Sequence, residues 1–277
     1  MVYNVYILIN KGGVNMKSPI KWKGGKSGSV KTILPIIPEH KCYVEPFFGG
    51  GWIYFAKEKS KVEVINDMNG ELINLFEVIR TQYEEFKNRF EFVLKSKELF
   101  LEYRKTIADK TLTPLERAFR FYYVNQNAFS GLIRYNQSGG CNSSFAGSPD
   151  REAQSSFWNI DKIKNAHERM KETIIEHDDY KNIIKRYDRE ETLFFLDPPY
   201  EGLDKRTYNG ETTFNYDELL EQCRNMKGKF ILTLNGSLED KFKEFTIIPN
   251  SVHYSMGCTT KCTKAYKEII VMNYMQK

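Results

Sequence analysis

Residues 42–67 read CYVEPFFGGGWIYFAKEKSKVEVIND, and their order decides the fold. Cys42 to Phe48 is a strand-like apolar run broken by Pro46, and it ends in three glycines, Gly49-Gly50-Gly51. Trp52 onward has helical spacing, 62–67 is a second strand, and GELINLFEVIR (70–80) is a helix. Strand, glycine turn, helix and strand in this order form a βαβ unit, which implies a parallel sheet with right-handed crossovers. Three glycines let backbone amides approach a ligand closely at a helix start, although a structural turn accounts for them about as well. The acid ending the second strand, Asp67, is well placed to accept hydrogen bonds from ribose hydroxyls. Tyr54 stands where a phosphate-binding fingerprint has its third glycine, which favours a nucleoside ligand without a pyrophosphate, such as S-adenosylmethionine.

Further strands are expected at 173–178, 192–197, 229–235 and 266–274. Between the two groups, 82–128 is charged and helical, with Thr113 capping a helix that has Pro114 at its first position. The stretch SGLIRYNQSGGCNSSFAGSPD (130–150) then reads as an exposed hairpin or long recognition loop. The expectation is an α/β Rossmann-like sheet with an inserted helical domain: 17–70 and 160–277 form the sheet domain, 71–159 the insertion and 1–16 an N-terminal extension. Phe119, Tyr122 and Tyr123, at helical spacing, are expected in the core.

The 277 residues carry a net charge of +5, with 41 basic and 36 acidic side chains. That permits nucleic-acid binding and fits an ordinary soluble enzyme equally well. With 41% hydrophobic residues and no long apolar run, a membrane span is not expected. The N-terminal stretch lacks the pattern of a signal peptide, and Met16 is an alternative start. Five scattered cysteines point to free thiols in a reducing, cytoplasmic setting. Cys258 and Cys262 near His253 form one loose pair, so no metal is expected. KWKGGKSGS (21–29) is not a P-loop, because Ile20 occupies the position of the required first glycine. It reads as a basic loop or as a clamp over a carboxylate-bearing ligand.

FLDPPY (195–200) ends a buried strand with an acid and two prolines that donate no hydrogen bond. At the carboxyl edge of a parallel strand, Asp197 and the Pro198 carbonyl are both acceptors. They suit an amine with two hydrogens to donate, and Tyr200 offers an aromatic face for a planar base.

Trp22-Lys23-Gly24-Gly25-Lys26, Glu45-Pro46-Phe47-Phe48-Gly49-Gly50-Gly51, Asn66-Asp67 and Asp197-Pro198-Pro199-Tyr200 together resemble the ordered motifs of Dam-type DNA adenine-N6 methyltransferases of the alpha group. KEIIVMN (267–273) is similar to the family's closing strand, and the resemblance covers about residues 17–274. It implies methyl transfer from S-adenosylmethionine to N6 of an adenine flipped out of double-stranded DNA, with Asp197, Pro198 and Tyr200 catalytic. Trp22, Lys26, Phe47, Gly49, Gly51, Asp67, Asp179 and Tyr180 would hold the cofactor, Lys26 near its carboxylate end, with Asp178 a rival for Asp179. HDDY (177–180) also reads as acids at a helix start, which is compatible with that role.

In the resemblance, Arg134 matches the position that reads a guanine, Phe129 an aromatic that wedges into the stack, and Leu132 a thymine-methyl contact, and Lys21 is expected to touch the DNA with them. A loop arginine on phosphate and a phenylalanine capping its own core are the plainer alternatives. A GATC-like site is the leading expectation from the resemblance, although Ser143-Ser144 departs from it, standing where GATC-specific members carry Val-Pro. Lys205 and Arg206 (in 201–214) are either phosphate contacts or a solvated loop. A cytosine-N4 methyltransferase, a glutamine-N5 protein methyltransferase and an inactive DNA-binding relative are the competing readings. A cognate restriction enzyme as partner and a monomeric state complete the expectation.

Overall fold

The computed structural model describes residues 16–131, 133–134, 141–146, 158–200, 214–253 and 265–275. Seven strands form one sheet in the order β3-β2-β1-β4-β5-β7-β6. They are β1 Cys42–Glu45, β2 Val62–Asn66, β3 Ile174–Glu176, β4 Thr192–Leu196, β5 Lys229–Asn235, β6 Thr246–His253 and β7 Ala265–Met272. The first five are parallel, while β7 runs antiparallel between β5 and β6. The chain leaves β1 toward β2 and β3, then crosses back to β4 on the other side of β1. The strand order therefore reverses between β1 and β4, where ligands of open α/β sheets bind.

The strands are apolar without a polar face, because both faces are covered. Tyr43, Leu193, Phe195, Ile231 and Ile270 point into one core. Val44, Phe194, Leu196, Leu232 and Val271, at alternate positions, point into the other. The second core is closed by α8 (Tyr180–Tyr187) and α9 (Tyr216–Asn225). The first is covered by α1 (Val30–Ile33), α2 (Trp52–Ala56), α3 (Gly70–Thr81) and α7 (Ile160–Met170).

This first core runs without a break into α4 (Tyr83–Asn88), α5 (Lys97–Lys105) and α6 (Pro114–Asn127). Phe119, Tyr122 and Tyr123 of α6 are buried there, as their spacing predicts. Thr113 caps α6 through a bond from the Glu116 amide at 3.2 Å, with Pro114 in the first turn. Glu71 on α3, buried, receives Arg117 Nε of α6 at 3.0 Å.

β6 is a strand the sequence reading misses. Its TIIPNSVH carries Pro249 and polar residues, which argue against a strand in a sheet interior. β6 lies at the sheet edge, where a proline interrupts only one ladder. The loop that holds Cys258 and Cys262 lies outside the described residues, as do 1–15. Among the described residues no helix is long and apolar enough to cross a membrane.

Candidate active site

Two glycine loops interlock at the strand reversal. After β1 the chain turns, with the Gly51 amide donating to the Phe48 carbonyl at 2.8 Å and Gly51 at φ +63°. The helix that follows, α2, has only five residues. The turn thus offers close backbone approach rather than a long helix dipole. A Cβ at Gly49 would lie 2.7 Å from the Trp22 indole, and one at Gly25 would lie 2.5 Å from Trp52 Nε1. Each loop therefore makes room for the other's tryptophan, and Trp22 sits on the turn that the sequence assigns to the cofactor.

Asp67 stands beside this turn. One of its oxygens accepts from the Gly49 amide and the other from the Asn69 amide, each at 2.8 Å. Burial raises its carboxyl, and these two bonds oppose the rise. Asn66 is fully buried and serves as a tie: its amide nitrogen donates to the Pro46 and Asp178 carbonyls at 2.9 Å, and its oxygen accepts from the Asp178 amide at 2.8 Å. It joins the ends of β1, β2 and the β3 loop.

The HDDY stretch is indeed a helix start. Asp179 caps α8 by accepting from the Lys181 amide at 2.8 Å. Asp178 is turned away, with Oδ1 taken by the Asp179 amide and Asn182 and Oδ2 by Arg186. That engagement favours Asp179 for a ligand contact. Tyr180 is 8% exposed, and its ring lies 5.0 Å from Phe47 and 5.5 Å from Phe214. Its hydroxyl is buried without a hydrogen-bond partner. An orphaned buried hydroxyl in an aromatic cradle fits a planar, polar-edged ring, such as the adenine of S-adenosylmethionine.

The DPPY corner leaves β4 next to β1 and β5. Lys26, almost fully buried, places Nζ 2.7 Å from Asp197 Oδ1 and 4.5 Å from the centre of the Tyr200 ring. The same Oδ1 accepts from Thr233 Oγ1 at 2.7 Å. The Pro199 carbonyl is held by the Tyr216 hydroxyl at 2.5 Å. No described residue donates to Asp197 Oδ2 or to the Pro198 carbonyl. Among the described residues, the corner therefore leaves two acceptors without a donor. Behind it, Glu45 is buried at the end of β1 and accepts from the Tyr43 hydroxyl at 2.5 Å. Burial pushes the Glu45 carboxyl up to about 8, and the nearby Asp197 charge adds to the rise.

Three of the expected DNA-reading residues, Lys21, Phe129 and Arg134, sit around the end of α6. Lys21 is exposed, and its backbone is paired with Asn125 in both directions, at 3.2 and 2.7 Å. Asn125 also donates to the Gly131 carbonyl at 3.0 Å, so one buried amide joins the Lys21 loop to the 129–131 turn. Phe129 is 59% exposed on that turn. Arg134 is exposed, and its amide donates to the buried Ser143 hydroxyl at 3.0 Å. An isolated antiparallel bridge joins Ala128 to Phe145. Leu132, Lys205 and Arg206 lie outside the described residues.

Phe214, Tyr216 and Thr233 lie at this site and are missed by sequence reasoning, while Asn66 is quoted there in a motif without a role. A hydroxyl in the apolar strand KFILTLN was the signal for Thr233; Phe214 and Tyr216 carry none beyond their aromatic character.

Comparison with known proteins gives the family. The family model for D12 class N6 adenine-specific DNA methyltransferases matches residues 22–260. The chain is 28% identical to the type II methyltransferase M1.LlaDCHI of Lactococcus lactis subsp. cremoris, over 96% of this chain and 99% of that one. It is 26% identical to the DNA N-6-adenine-methyltransferase of Escherichia phage P1, over 80% of this chain but 30% of that one. It is 27% identical to the DNA adenine methylase of Escherichia coli K12, over 66% and 65% of the two chains. With the acceptor corner and the glycine turn meeting at the strand reversal, the chain belongs to the D12 class of N6 adenine-specific DNA methyltransferases.

Proposed function

We propose that the chain methylates N6 of an adenine flipped out of a short, GATC-like site in double-stranded DNA, using S-adenosylmethionine. The observation that carries this reading is the pair of open acceptors, Asp197 Oδ2 and the Pro198 carbonyl, beside an aromatic cradle with an orphaned hydroxyl.

S-adenosylmethionine, when bound, supplies an electrophilic sulfonium methyl group. Phe47, Tyr180 and Phe214 would flank its adenine and Asp179 would meet the ring's polar edge. Asp67 would accept from the ribose, and Trp22 and the Gly49–Gly51 turn would line the remainder. Lys26 would stand between the cofactor's carboxylate end and Asp197.

The exocyclic nitrogen of adenine is a weak nucleophile because its lone pair is delocalised into the ring. Asp197 and the Pro198 carbonyl accept its two hydrogens and favour a pyramidal nitrogen as positive charge develops there. Tyr200 stacks on the base, so positioning contributes much of the acceleration. One proton then leaves the nitrogen, to Asp197 or to solvent.

The sheet domain (17–70 and 160–277) would carry this chemistry and the insertion (71–159) the reading of DNA. Arg134 would take a guanine through its fork of donors, Phe129 would fill the gap left by the flipped base, Leu132 would meet a thymine methyl, and Lys21 would contact the backbone. The chain would act as a monomer, with a cognate restriction enzyme as its partner in the cell. Sequencing with modified-base detection, on DNA exposed to the pure protein and S-adenosylmethionine, tests the reading. N6-methyladenine in one short motif is expected; N4-methylcytosine would replace the reading with its rival.

A further inference from the structure

We propose that Thr233 is a positioning residue for methyl transfer: its hydroxyl fixes one oxygen of Asp197 so that the other faces the substrate amine. The inference rests on the assignment of Asp197 as the amine acceptor.

Leu196 pairs with Leu232 across β4 and β5, so Asp197 and Thr233 come next on the two strands. Thr233 lies on the same face of β5 as the buried Ile231, pairs with Ile270 of β7, and is 0% exposed. Valine would fill this place with the same shape and no polar atom. A buried hydroxyl is costly unless hydrogen-bonded. This one has a single proton to donate, and its better acceptor is Asp197 Oδ1 at 2.7 Å, against 3.4 Å to the Leu196 carbonyl.

Lys26 approaches the same oxygen at 2.7 Å, so both donors gather on Oδ1 and leave Oδ2 open. The two differ in stiffness. Lys26 is a long side chain in a short 3-10 turn, Lys26–Gly28. Thr233 is β-branched and sits in a strand paired on both sides, which restricts its rotamer. If Lys26 turns toward a bound ligand, Thr233 still holds the carboxylate in plane.

Thr233→Val, Thr233→Ser and Asp197→Ala would be compared in single-turnover methyl transfer, in titrations of cofactor and duplex DNA, and in thermal unfolding. The valine variant should lose roughly 10- to 100-fold in transfer rate, the scale of a misplaced reacting group. Its two dissociation constants should stay within about twofold, because the loss acts on the transition state rather than on binding. Serine, which keeps the hydroxyl, should restore most of the rate.

A wild-type rate in Thr233→Val, with Asp197→Ala inactive, would overturn the inference and leave the site assignment standing. A wild-type rate in Asp197→Ala would instead remove the assignment and the inference with it. If Thr233→Val does not fold, Thr233→Ala against Thr233→Ser isolates the hydroxyl, and equal rates in that pair overturn the inference.

Discussion

Lys26 Nζ lies 2.7 Å from Asp197 Oδ1, joining the first motif of the chain to the last. The lysine is almost fully buried and the carboxylate partly exposed, so water screens the pair only weakly. On the proposed function, the pair ties a cofactor-side loop to the acceptor of the substrate amine. Lys26→Met should therefore reduce single-turnover transfer by about 10²-fold, and raise the cofactor dissociation constant as well. Rapid-quench kinetics with filter-binding titration measure the two effects separately, and loss of cofactor binding alone would show that the pairing with Asp197 is incidental.

Glu45 gives a pH signature. Its buried carboxyl holds its proton up to about pH 8, whereas the unfolded chain releases it near 4.5. The folded state thus binds more protons between those values, and stability falls as pH rises through the window. Below pH 4.5 the contribution is fully present, and above about 8 it is gone. Glu45→Gln cannot ionise and should flatten the decline by on the order of 1–3 kcal/mol between pH 5 and pH 8. Urea melts across that range measure it.

A second buried cluster is structural. Glu63 on β2 receives Lys57 Nζ at 2.6 Å and Arg169 Nη2 at 2.7 Å, and Arg169 Nη1 bonds its other oxygen. The Arg169 guanidinium also lies 4.2 Å over the Tyr54 ring. These bonds hold the Glu63 carboxyl below its usual range although burial opposes them. Arg169→Ala leaves a buried carboxylate with one cation and should cost about 3–5 kcal/mol. Calorimetry should show the loss as a lowered melting temperature, with the catalytic corner left in place.

Phe129 should behave in the opposite manner. Its ring is mostly in solvent, so Phe129→Ala should leave stability within about 0.5 kcal/mol. Base flipping, read from 2-aminopurine fluorescence at the target position, should weaken markedly. Arg134→Ala should relax discrimination at one base pair by about 1–3 kcal/mol, measured on a panel of substituted duplexes.

The sheet was legible where periodicity and turn chemistry agreed. β5 falls at 229–235 as the pattern predicts, and β1 and β2 end within a few residues of their expected bounds. β6 was not legible, because Pro249 and its polar neighbours carry an edge-strand pattern that a single sequence shares with loops. In the site, residues with a distinctive local signal could be named: Trp22, the glycine turn, Asp67 and the DPPY corner. Thr233, Asn66 and Phe214 act through partners 20 to 167 residues away in sequence, so only the folded sheet brings them to Asp197, Pro46 and Phe47. Lys26 was expected near the cofactor from its motif, while its contact with Asp197 was not foreseen.

The most direct test of the account compares methyl transfer to duplex DNA by the wild-type chain and by Asp197→Ala, with cofactor and DNA binding measured on the same preparations. The account predicts N6-methyladenine from the wild type, none from the variant, and binding retained by both. N6-methylation by the variant at the wild-type rate would contradict it, because the open acceptor at the DPPY corner would then have no part in the reaction.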